Sequence, residues 1–255
     1  MITSFSKTIK NSKTYYKPNE DYFINDDKNK IYILTDGVSR DRVNDIYPIN
    51  SPSRKVSEIF SKAVFHFIAH KFNEFNNKET LLRTAMIEGN NEIAKFNRNY
   101  KGDFLPGTVG IISIVFQGFF YYAYIGDCFG IRLANNQKIV FTNIQTELIH
   151  KHIKEYTTYE IRNIICNNIN HPYSYGVLNG DDRASDFIVT GKFPLQQTKT
   201  VLLFSDGFEK YLASKDAEEL SLLDLDILSY KEDYFSDDDK TIIKICIEEG
   251  KNEKY

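Results

Sequence analysis

Two similar stretches occur far apart in the sequence, IYILTDG at residues 31–37 and VLLFSDG at residues 201–207. Each is a run of apolar residues closed by Asp-Gly, which predicts a buried strand that runs into a turn. Asp tolerates turn conformations and Gly adopts backbone angles closed to other residues, so either stretch alone is explained by a turn. Two strand-end carboxylates that converged in space would repel each other unless a cation lay between them. The pair therefore also predicts a cation site.

The bulk properties predict a globular protein. The chain has 255 residues, is 42% hydrophobic and carries a net charge of -3, which suits a single domain over residues 1–255 with a sizeable core. The near-neutral charge gives no electrostatic footprint for nucleic acid. No stretch reaches the roughly 20 apolar residues of a membrane span, and the N-terminus lacks the apolar core of a signal peptide. We expect a cytoplasmic monomer with reduced cysteines that binds neither nucleic acid nor membrane.

Hydrophobic periodicity predicts alternating groups of strands and helices. In chain order we first expect strands at YFIND and KIYILTD, joined by a turn at 26–29. Two helices follow, one capped by Ser53 and running to about Asn73 and one over Lys78–Asn97. We then expect a three-strand antiparallel meander between 110 and 136, helical turns near 146–168, and strands at TVLLFSDG and KTIIKICIEE. Strands interrupted by a helix pair and then a meander favour an antiparallel α+β sandwich over a doubly wound parallel fold.

Acidic residues recur where the predicted strands begin or end. They are Glu20, Asp21, Asp36, Asp127, Asp206 and Asp238. A site with only oxygen ligands suits hard divalent ions such as Mg²⁺ or Mn²⁺. Zinc would instead favour His and Cys ligands.

The ordered motifs NED, DG, PGT, GDCFGIRL, SDGF and DDKT resemble the metal-dependent protein phosphatases (PPM, or type 2C serine/threonine phosphatases) of bacterial type. The match runs from about Asn19 to Ile247, nearly the whole chain. The resemblance implies an αββα sandwich, two central antiparallel sheets flanked by helices. It also implies a phosphoprotein substrate, phosphorylated by an opposing Ser/Thr kinase, whose phosphoserine and phosphothreonine esters are hydrolysed by a hydroxide that bridges two Mg²⁺ or Mn²⁺ ions.

The resemblance also assigns roles to the acidic set. Asp36 would bridge the two ions, and the carbonyl of Gly37 would bind one of them. The remaining ligands would be Asp206 and Asp238 for the first ion, Glu20 and Asp21 (directly or through water) for the second, and Asp127 with Asp206 for a weaker third ion. Asp36, Asp206 and Asp127 are the residues on which catalysis would depend.

Two positions at which family members contact or protonate the substrate depart from the family pattern. Tyr16 stands where many members have a basic residue that binds phosphate. Lys17 or Lys13 could take that role, or phosphate could be held only through metal-bound water. Val38 stands where some members have a histidine proposed as general acid. These changes affect substrate positioning more than metal binding.

The sequence leaves open which of the neighbouring aspartates near the C-terminus is the metal ligand. Three successive aspartates, Asp237, Asp238 and Asp239, precede the last predicted strand. Spacing to Thr241 favours Asp238.

Four histidines are interpreted as ordinary residues of surface helices. His66 and His70 have the i, i+4 spacing of zinc proteases, but Phe67 stands in place of the catalytic Glu. His150 and His152 lie in a predicted surface helix.

Two other functions compete with an active phosphatase. A non-catalytic family member could bind phosphoproteins or act as a regulatory module, and the altered substrate-side positions are the reason to consider it. A haloacid-dehalogenase-type phosphatase would need a second Asp two residues after Asp36, and Val38 occupies that position. The intact acidic set favours catalysis, because a binding module has no need of so many mutually repelling carboxylates.

Overall fold

The computed structural model describes residues 1–11, 17–38, 50–102, 104–230 and 238–248. Tyr16, Lys13 and Asp237 lie outside the described residues.

Two five-stranded antiparallel sheets form the centre of the molecule. The first sheet has the order β1 (Ile2–Ile9), β10 (Lys240–Ile247), β9 (Thr198–Phe204), β6 (Phe129–Ala134) and β7 (Gln137–Val140). The second has the order β2 (Tyr22–Asp26), β3 (Ile31–Val38), β4 (Gly107–Phe116), β5 (Phe119–Ile125) and β8 (Val189–Pro194). Every pairing within the two sheets is antiparallel.

Two long helices, α1 (Pro52–Lys71) and α2 (Lys78–Asn97), pack on the outer face of the second sheet. The predicted bounds of α2 are confirmed, but the predicted cap of α1 is wrong by two residues. Ser51 is the N-cap, because its side chain accepts a hydrogen bond from the Arg54 amide at 3.3 Å and Pro52 begins the helix. Ser53 is instead buried, and its hydroxyl donates to the Val38 carbonyl at 2.8 Å.

Shorter helices complete the fold. They are α3 (Glu147–His152), α4 (Thr158–Glu160) with a π-helical turn at Ile161–Ile165, α5 (Glu209–Ala213) and α6 (Ala217–Ser221), with 3-10 turns at Phe72–Glu74, Ile153–Glu155, Asp182–Phe187, Asp206–Phe208 and Leu225–Tyr230. The helices α5 and α6 cover the outer face of the first sheet.

Three apolar layers hold the four structural layers together. Along β3, Ile31 and Ile33 pack against α1 and α2, whereas Tyr32 and Leu34 pack between the sheets. Along β9, residues 201 and 203 face the second sheet and residues 202 and 204 face α5 and α6. Strands buried on both faces have continuous apolar sequences, which explains the apolar runs in both IYILTDG and VLLFSDG. The predicted αββα sandwich is confirmed.

The predicted three-strand meander is wrong in its third strand. The strand β5 belongs to the second sheet and β6 to the first, so the chain crosses between sheets at Gly126–Cys128. Gly126 permits this crossing because its φ is +83° and an added Cβ would lie 2.3 Å from Val109 Cγ1. The strands β1, β7 and β8 were not predicted at all.

No helix within the described ranges combines the length and apolar character needed to cross a bilayer.

Candidate metal centre

The two Asp-Gly pairs lie at the ends of central strands of opposite sheets, but their backbones differ. Asp36 and Gly37 are inside β3 and pair with Val109 and Thr108 of β4. Asp206 and Gly207 begin the 3-10 turn that follows β9. The turn expected at Asp36 is therefore wrong, because pairing with β4 extends the strand to Val38. Neither glycine has a positive φ.

Both glycines are needed for space rather than for backbone angles. A Cβ on Gly37 would lie 2.8 Å from both the Cβ and the carbonyl oxygen of Glu20. A Cβ on Gly207 would lie 2.1 Å from the carbonyl oxygen of Asp239. Each Asp-Gly pair thus admits a second acidic segment against its backbone, Glu20–Asp21 in one case and Asp238–Asp239 in the other.

The Glu20–Asp21 segment connects the two strand ends. Both side chains are buried. The amide of Glu20 donates to Asp239 Oδ2 at 3.0 Å, and the Ser205 hydroxyl donates to Asp21 Oδ2 at 2.8 Å. The Ser51 hydroxyl donates to Glu20 Oε1. One short segment therefore contacts the start of α1, the end of β9 and the start of β10.

The pKa values show that the carboxylates affect one another. Burial raises the pKa of Asp36 well above its usual range, and the charges of Asp21 and Asp206 raise it further. Burial, followed by the charges of Asp127 and Asp238, does the same to the pKa of Asp206. Burial and the charge of Asp239 raise the pKa of Asp21 to about 7. Without a cation, this group of carboxyl groups favours holding protons over full ionisation.

The donor chemistry fits hard divalent ions. Within the part of the chain that the structure describes, no three His, Cys, Asp or Glu side chains already form a closed ligand set, and repulsion between uncompensated carboxylates opposes one. Two buried oxygens, Asp21 Oδ1 and Asp206 Oδ1, have no hydrogen-bond partner. Buried polar atoms are nearly always satisfied, so two unpartnered carboxylate oxygens in an all-oxygen cluster match the ligands that Mg²⁺ and Mn²⁺ take.

Lys17 lies among the carboxylates on one side of this centre. Its ammonium is 3.0 Å from Glu20 Oε2, 3.3 Å from Asp238 Oδ1 and 3.6 Å from Asp239 Oδ2. The lysine is buried, and although burial itself lowers the pKa of Lys17, the neighbouring carboxylates raise it above its usual value. Lys17 thus offsets acidic charge, and its predicted contact with phosphate stays a prediction.

Asp127 lies at the crossing between the sheets. The Thr146 hydroxyl donates to Asp127 Oδ2 at 3.0 Å. Burial raises the pKa of Asp127, while the bond from Thr146 and the nearby His150 lower it. Next to it, Cys128 is buried, and burial together with the charges of Asp36 and Asp127 raises the pKa of its thiol well above the usual value. Cys128 is therefore a neutral thiol and not an activated nucleophile.

Asp238 and Asp239, the two described candidates for the metal ligand near the C-terminus, have different surroundings. Asp239 is buried and accepts from the amides of Asn11 and Glu20 at 2.9 and 3.0 Å. The Asp238 side chain is 45% exposed and contacts Lys17. Asp239 therefore fixes the backbone of both acidic segments, and Asp238 has the more exposed carboxylate; its ligand role stays a prediction.

The hydroxyl groups that orient the carboxylates were not predicted from the sequence. Ser51, Ser205 and Thr146 donate to Glu20, Asp21 and Asp127, respectively. Only Ser205 carried a local signal, since it adjoins Asp206 in the motif. The structure brings all the predicted ligands, Glu20, Asp21, Asp36, Gly37, Asp127, Asp206 and Asp238, to the neighbouring ends of the two sheets; their roles as ligands stay predictions.

Comparison with known proteins gives a likeness in structure but none in sequence. No protein-family model and no curated protein matches the chain. The crystal structure of the serine/threonine phosphatase PstP from Mycobacterium tuberculosis is similar, with a TM-score of 0.62 and 17% identity over 97% of this chain and 99% of that one. A structure of the PstP catalytic domain in complex with two manganese ions is also similar, with a TM-score of 0.62 at 16% identity, covering 97% of this chain and 99% of that one.

A third similar structure is the serine/threonine phosphatase Stp1 from Staphylococcus aureus, with a TM-score of 0.60 and 19% identity over 98% of this chain and 96% of that one. In each case the alignment covers nearly the full length of both chains, so the likeness is in the whole fold and not in one part of it. The chain has the fold of the bacterial PPM serine/threonine phosphatases.

Proposed function

We propose that the chain is a member of the PPM family and a metal-dependent phosphatase of phosphoserine and phosphothreonine in proteins. The observation that carries the proposal is the cluster of carboxyl groups with raised pKa values at the facing ends of β3 and β9. In this fold, a binding surface alone gives no reason to gather buried acids whose charges oppose one another.

The carboxylates of the chain would form two adjacent sites, one for each of two divalent ions. Asp36, whose pKa is raised by burial and then by the charges of Asp21, Asp206 and Asp238, would contact both ions, with the Gly37 carbonyl beside it. Asp206 and Asp238 would complete one site, and Glu20 and Asp21 the other. Asp127 would hold a weaker third ion together with Asp206.

When bound, Mg²⁺ or Mn²⁺ supplies the Lewis acidity that activates water and offsets charge on phosphoryl oxygens. The protein provides the geometry. Ser51 and Ser205 fix the carboxylates of Glu20 and Asp21, Thr108 fixes the Asp36 carbonyl by a 2.7 Å hydrogen bond, and Thr146 fixes Asp127. The substrate's phosphate would enter between the strand ends, with its leaving oxygen near Asp127.

The test is hydrolysis of p-nitrophenyl phosphate and of a phosphothreonine peptide by the full chain, with and without Mn²⁺. We expect activity with Mn²⁺ or Mg²⁺ and none in chelator, because hard ions exchange readily from all-oxygen sites. Full activity after exhaustive chelation, with no metal by elemental analysis, would refute the metal centre. Tight metal binding without hydrolysis of either substrate would refute the catalytic function instead.

The same proposal includes a phosphoprotein substrate, an opposing Ser/Thr kinase, a monomer and a cytoplasmic location. Size-exclusion chromatography with light scattering tests the monomer.

A further inference from the structure

A cleft of about 240 Å³ adjoins the candidate metal centre. Asp127 and Thr146 are among its polar lining residues, and Val38, which follows the Asp36-Gly37 pair, is among its apolar ones. The apolar walls are Val38, Val109, Ile149, Ile153, Ile161 and Val177. The cleft and the metal centre therefore share Asp127, and the cleft itself is mostly apolar.

The wall formed by Ile161 and Arg162 is a π-helical turn. The amide of Cys166 donates to the Ile161 carbonyl at 3.0 Å, the i to i+5 bond that defines the turn. Turns of this kind are rare and occur often at functional sites. The Tyr175 hydroxyl also donates to the Ile161 carbonyl, at 3.4 Å, so the wall is supported from a second element.

Basic side chains also line the cleft. His150 of α3 lines the cleft together with Asp127. Arg162 lies on the same cleft, with its guanidinium 4.7 Å from the centre of the Phe104 ring. An apolar cleft lined in part by the Arg162 guanidinium, next to a centre that would bind a phosphate, complements a phosphorylated polypeptide better than a neutral apolar molecule.

The chain around the cleft is unusually apolar at its surface. Five large apolar side chains between residues 148 and 169 are exposed, namely Leu148, Ile153, Tyr159, Ile164 and Ile169. Grouped exposed apolar residues mark binding surfaces more often than scattered ones do. Ile153 is the member of this exposed set that lines the cleft.

We propose that the cleft binds an apolar side chain of the substrate polypeptide, within two residues of the phosphorylated serine or threonine. The inference rests on the proposed function. An apolar cavity of about 150 Å³ is enough for a benzene-sized group, so 240 Å³ accepts one Leu, Ile or Phe side chain. Extended chain advances about 3.3–3.6 Å per residue, so a side chain one or two positions from the phosphorylated residue reaches a cleft that shares Asp127 with the centre.

The experiment compares Ile153→Ser with Ile164→Ser as a matched control. Ile153 is 46% exposed and lines the cleft, whereas Ile164 is 48% exposed and does not line it. Each protein, loaded with Mn²⁺, is assayed on p-nitrophenyl phosphate and on phosphothreonine peptides that carry Leu, Ala or Asp at each of the four positions within two residues of the phosphothreonine. A third variant, Ile153→Trp, fills the cleft but keeps its surface apolar.

We expect the unchanged protein to favour Leu over Ala at one position by about tenfold in kcat/KM, the usual size of discrimination by an apolar pocket. Ile153→Ser and Ile153→Trp should both reduce this ratio towards one, with p-nitrophenyl phosphate turnover unchanged. Ile164→Ser should keep the ratio. No preference at any position, an equal loss in Ile164→Ser, or a ratio retained in Ile153→Trp would each overturn the proposal.

Fluorescence anisotropy with the same peptides separates this inference from the proposed function. If no substrate is hydrolysed, a binding preference for Leu that Ile153→Ser removes still supports the cleft, and only the phosphatase activity fails. If neither hydrolysis nor a binding preference is found, the assignment of the cleft is overturned as well.

Discussion

The ends of β3 and β9 carry the same two letters, Asp-Gly, on different backbones. In β3 the pair continues a strand that is hydrogen-bonded to β4, and in β9 it begins a 3-10 turn. What the two ends share is contact: Gly37 leaves room for Glu20, and Gly207 leaves room for Asp239. A repeated motif can therefore record a repeated requirement for space beside a carboxylate, and not a repeated local conformation.

The largest expected effect comes from removing either strand-end carboxylate. We expect Asp36→Ala and Asp206→Ala each to abolish measurable turnover, since either change removes a buried carboxylate that would bind the metal ions. The same changes should raise the melting temperature of the metal-free protein, because they relieve charge repulsion. Steady-state kinetics and thermal unfolding in chelator measure both effects.

The matched control for these variants is Asp26→Ala, at the end of β2. Asp26 accepts hydrogen bonds from Asn29 in an exposed turn and lies outside the acidic cluster. Turnover should survive this change. If Asp36→Ala or Asp206→Ala kept substantial activity at saturating metal, the two strand ends would not form one catalytic centre.

A smaller loss is expected at Asp127, which lies at the crossing between the two sheets. Asp127→Ala should leave tight binding of two metal ions but lower kcat by about 10²–10⁴-fold, the range typical of lost proton donation. The loss should be smaller for p-nitrophenyl phosphate, whose leaving group needs little protonation, than for a phosphothreonine peptide. Equal losses on both substrates would contradict a role at the leaving oxygen.

Substitution of Gly37 and of Gly207 by alanine should lower the free energy of unfolding by different amounts. In Gly207→Ala the new Cβ meets a backbone oxygen at 2.1 Å, so the start of β10 must move. In Gly37→Ala the nearest atoms are at 2.8 Å. Overpacking typically costs about 1–3 kcal/mol and sometimes more, and we expect Gly207→Ala at or above the upper end and Gly37→Ala below it.

Urea unfolding of the two alanine variants measures this difference. Gly118→Ala is the control, because it has no atom within 4 Å of the added Cβ and its φ of +76° isolates the conformational cost. A smaller loss for Gly207→Ala than for Gly37→Ala would contradict the ranking by contact distance.

The fold was predictable where local signals agreed with burial. The bounds of α2 follow from its apolar spacing and from Asn77, whose side chain caps the amides of Glu79 and Thr80. The strand β1 was missed because it is a half-buried edge strand with mixed polar residues. The crossing at Gly126–Cys128 was missed because a short Gly-containing turn is equally suited to a hairpin, and only packing between the sheets separates the two.

The acidic residues of the candidate site could be predicted from the sequence, but the residues that position them could not. Asp36 and Asp206 stand out because an apolar strand leads to each. The need for Gly37 and Gly207 arises from Glu20 and Asp239, which reach them from distant parts of the chain. The anchoring role of Asp239 was hidden for the same reason, since its partners are the amides of Asn11 and Glu20.

The smallest expected effect concerns pH and the segment that joins the two strand ends. The pKa of Asp21 is raised to about 7, first by burial and then by the charge of Asp239, whereas an unfolded Asp has a pKa of about 3.9. The folded protein therefore binds a proton that the unfolded chain releases. This stabilising contribution is complete below about pH 4 and is lost as pH rises through about 7.

We therefore expect the melting temperature of the metal-free protein to fall by several degrees between about pH 4 and 7. Asp21→Asn should reduce the slope, since the amide cannot ionise, whereas the exposed Asp186→Asn should leave it unchanged. Saturating Mn²⁺ should flatten or reverse the slope, because ion binding requires the ionised carboxylates. A melting temperature that rose over this interval in chelator would mean that the acids at the two strand ends are not held apart from water as the structure shows. A slope unchanged by Mn²⁺ would mean instead that the ions bind away from Asp21, so that the segment connecting the two strand ends would not belong to the metal centre.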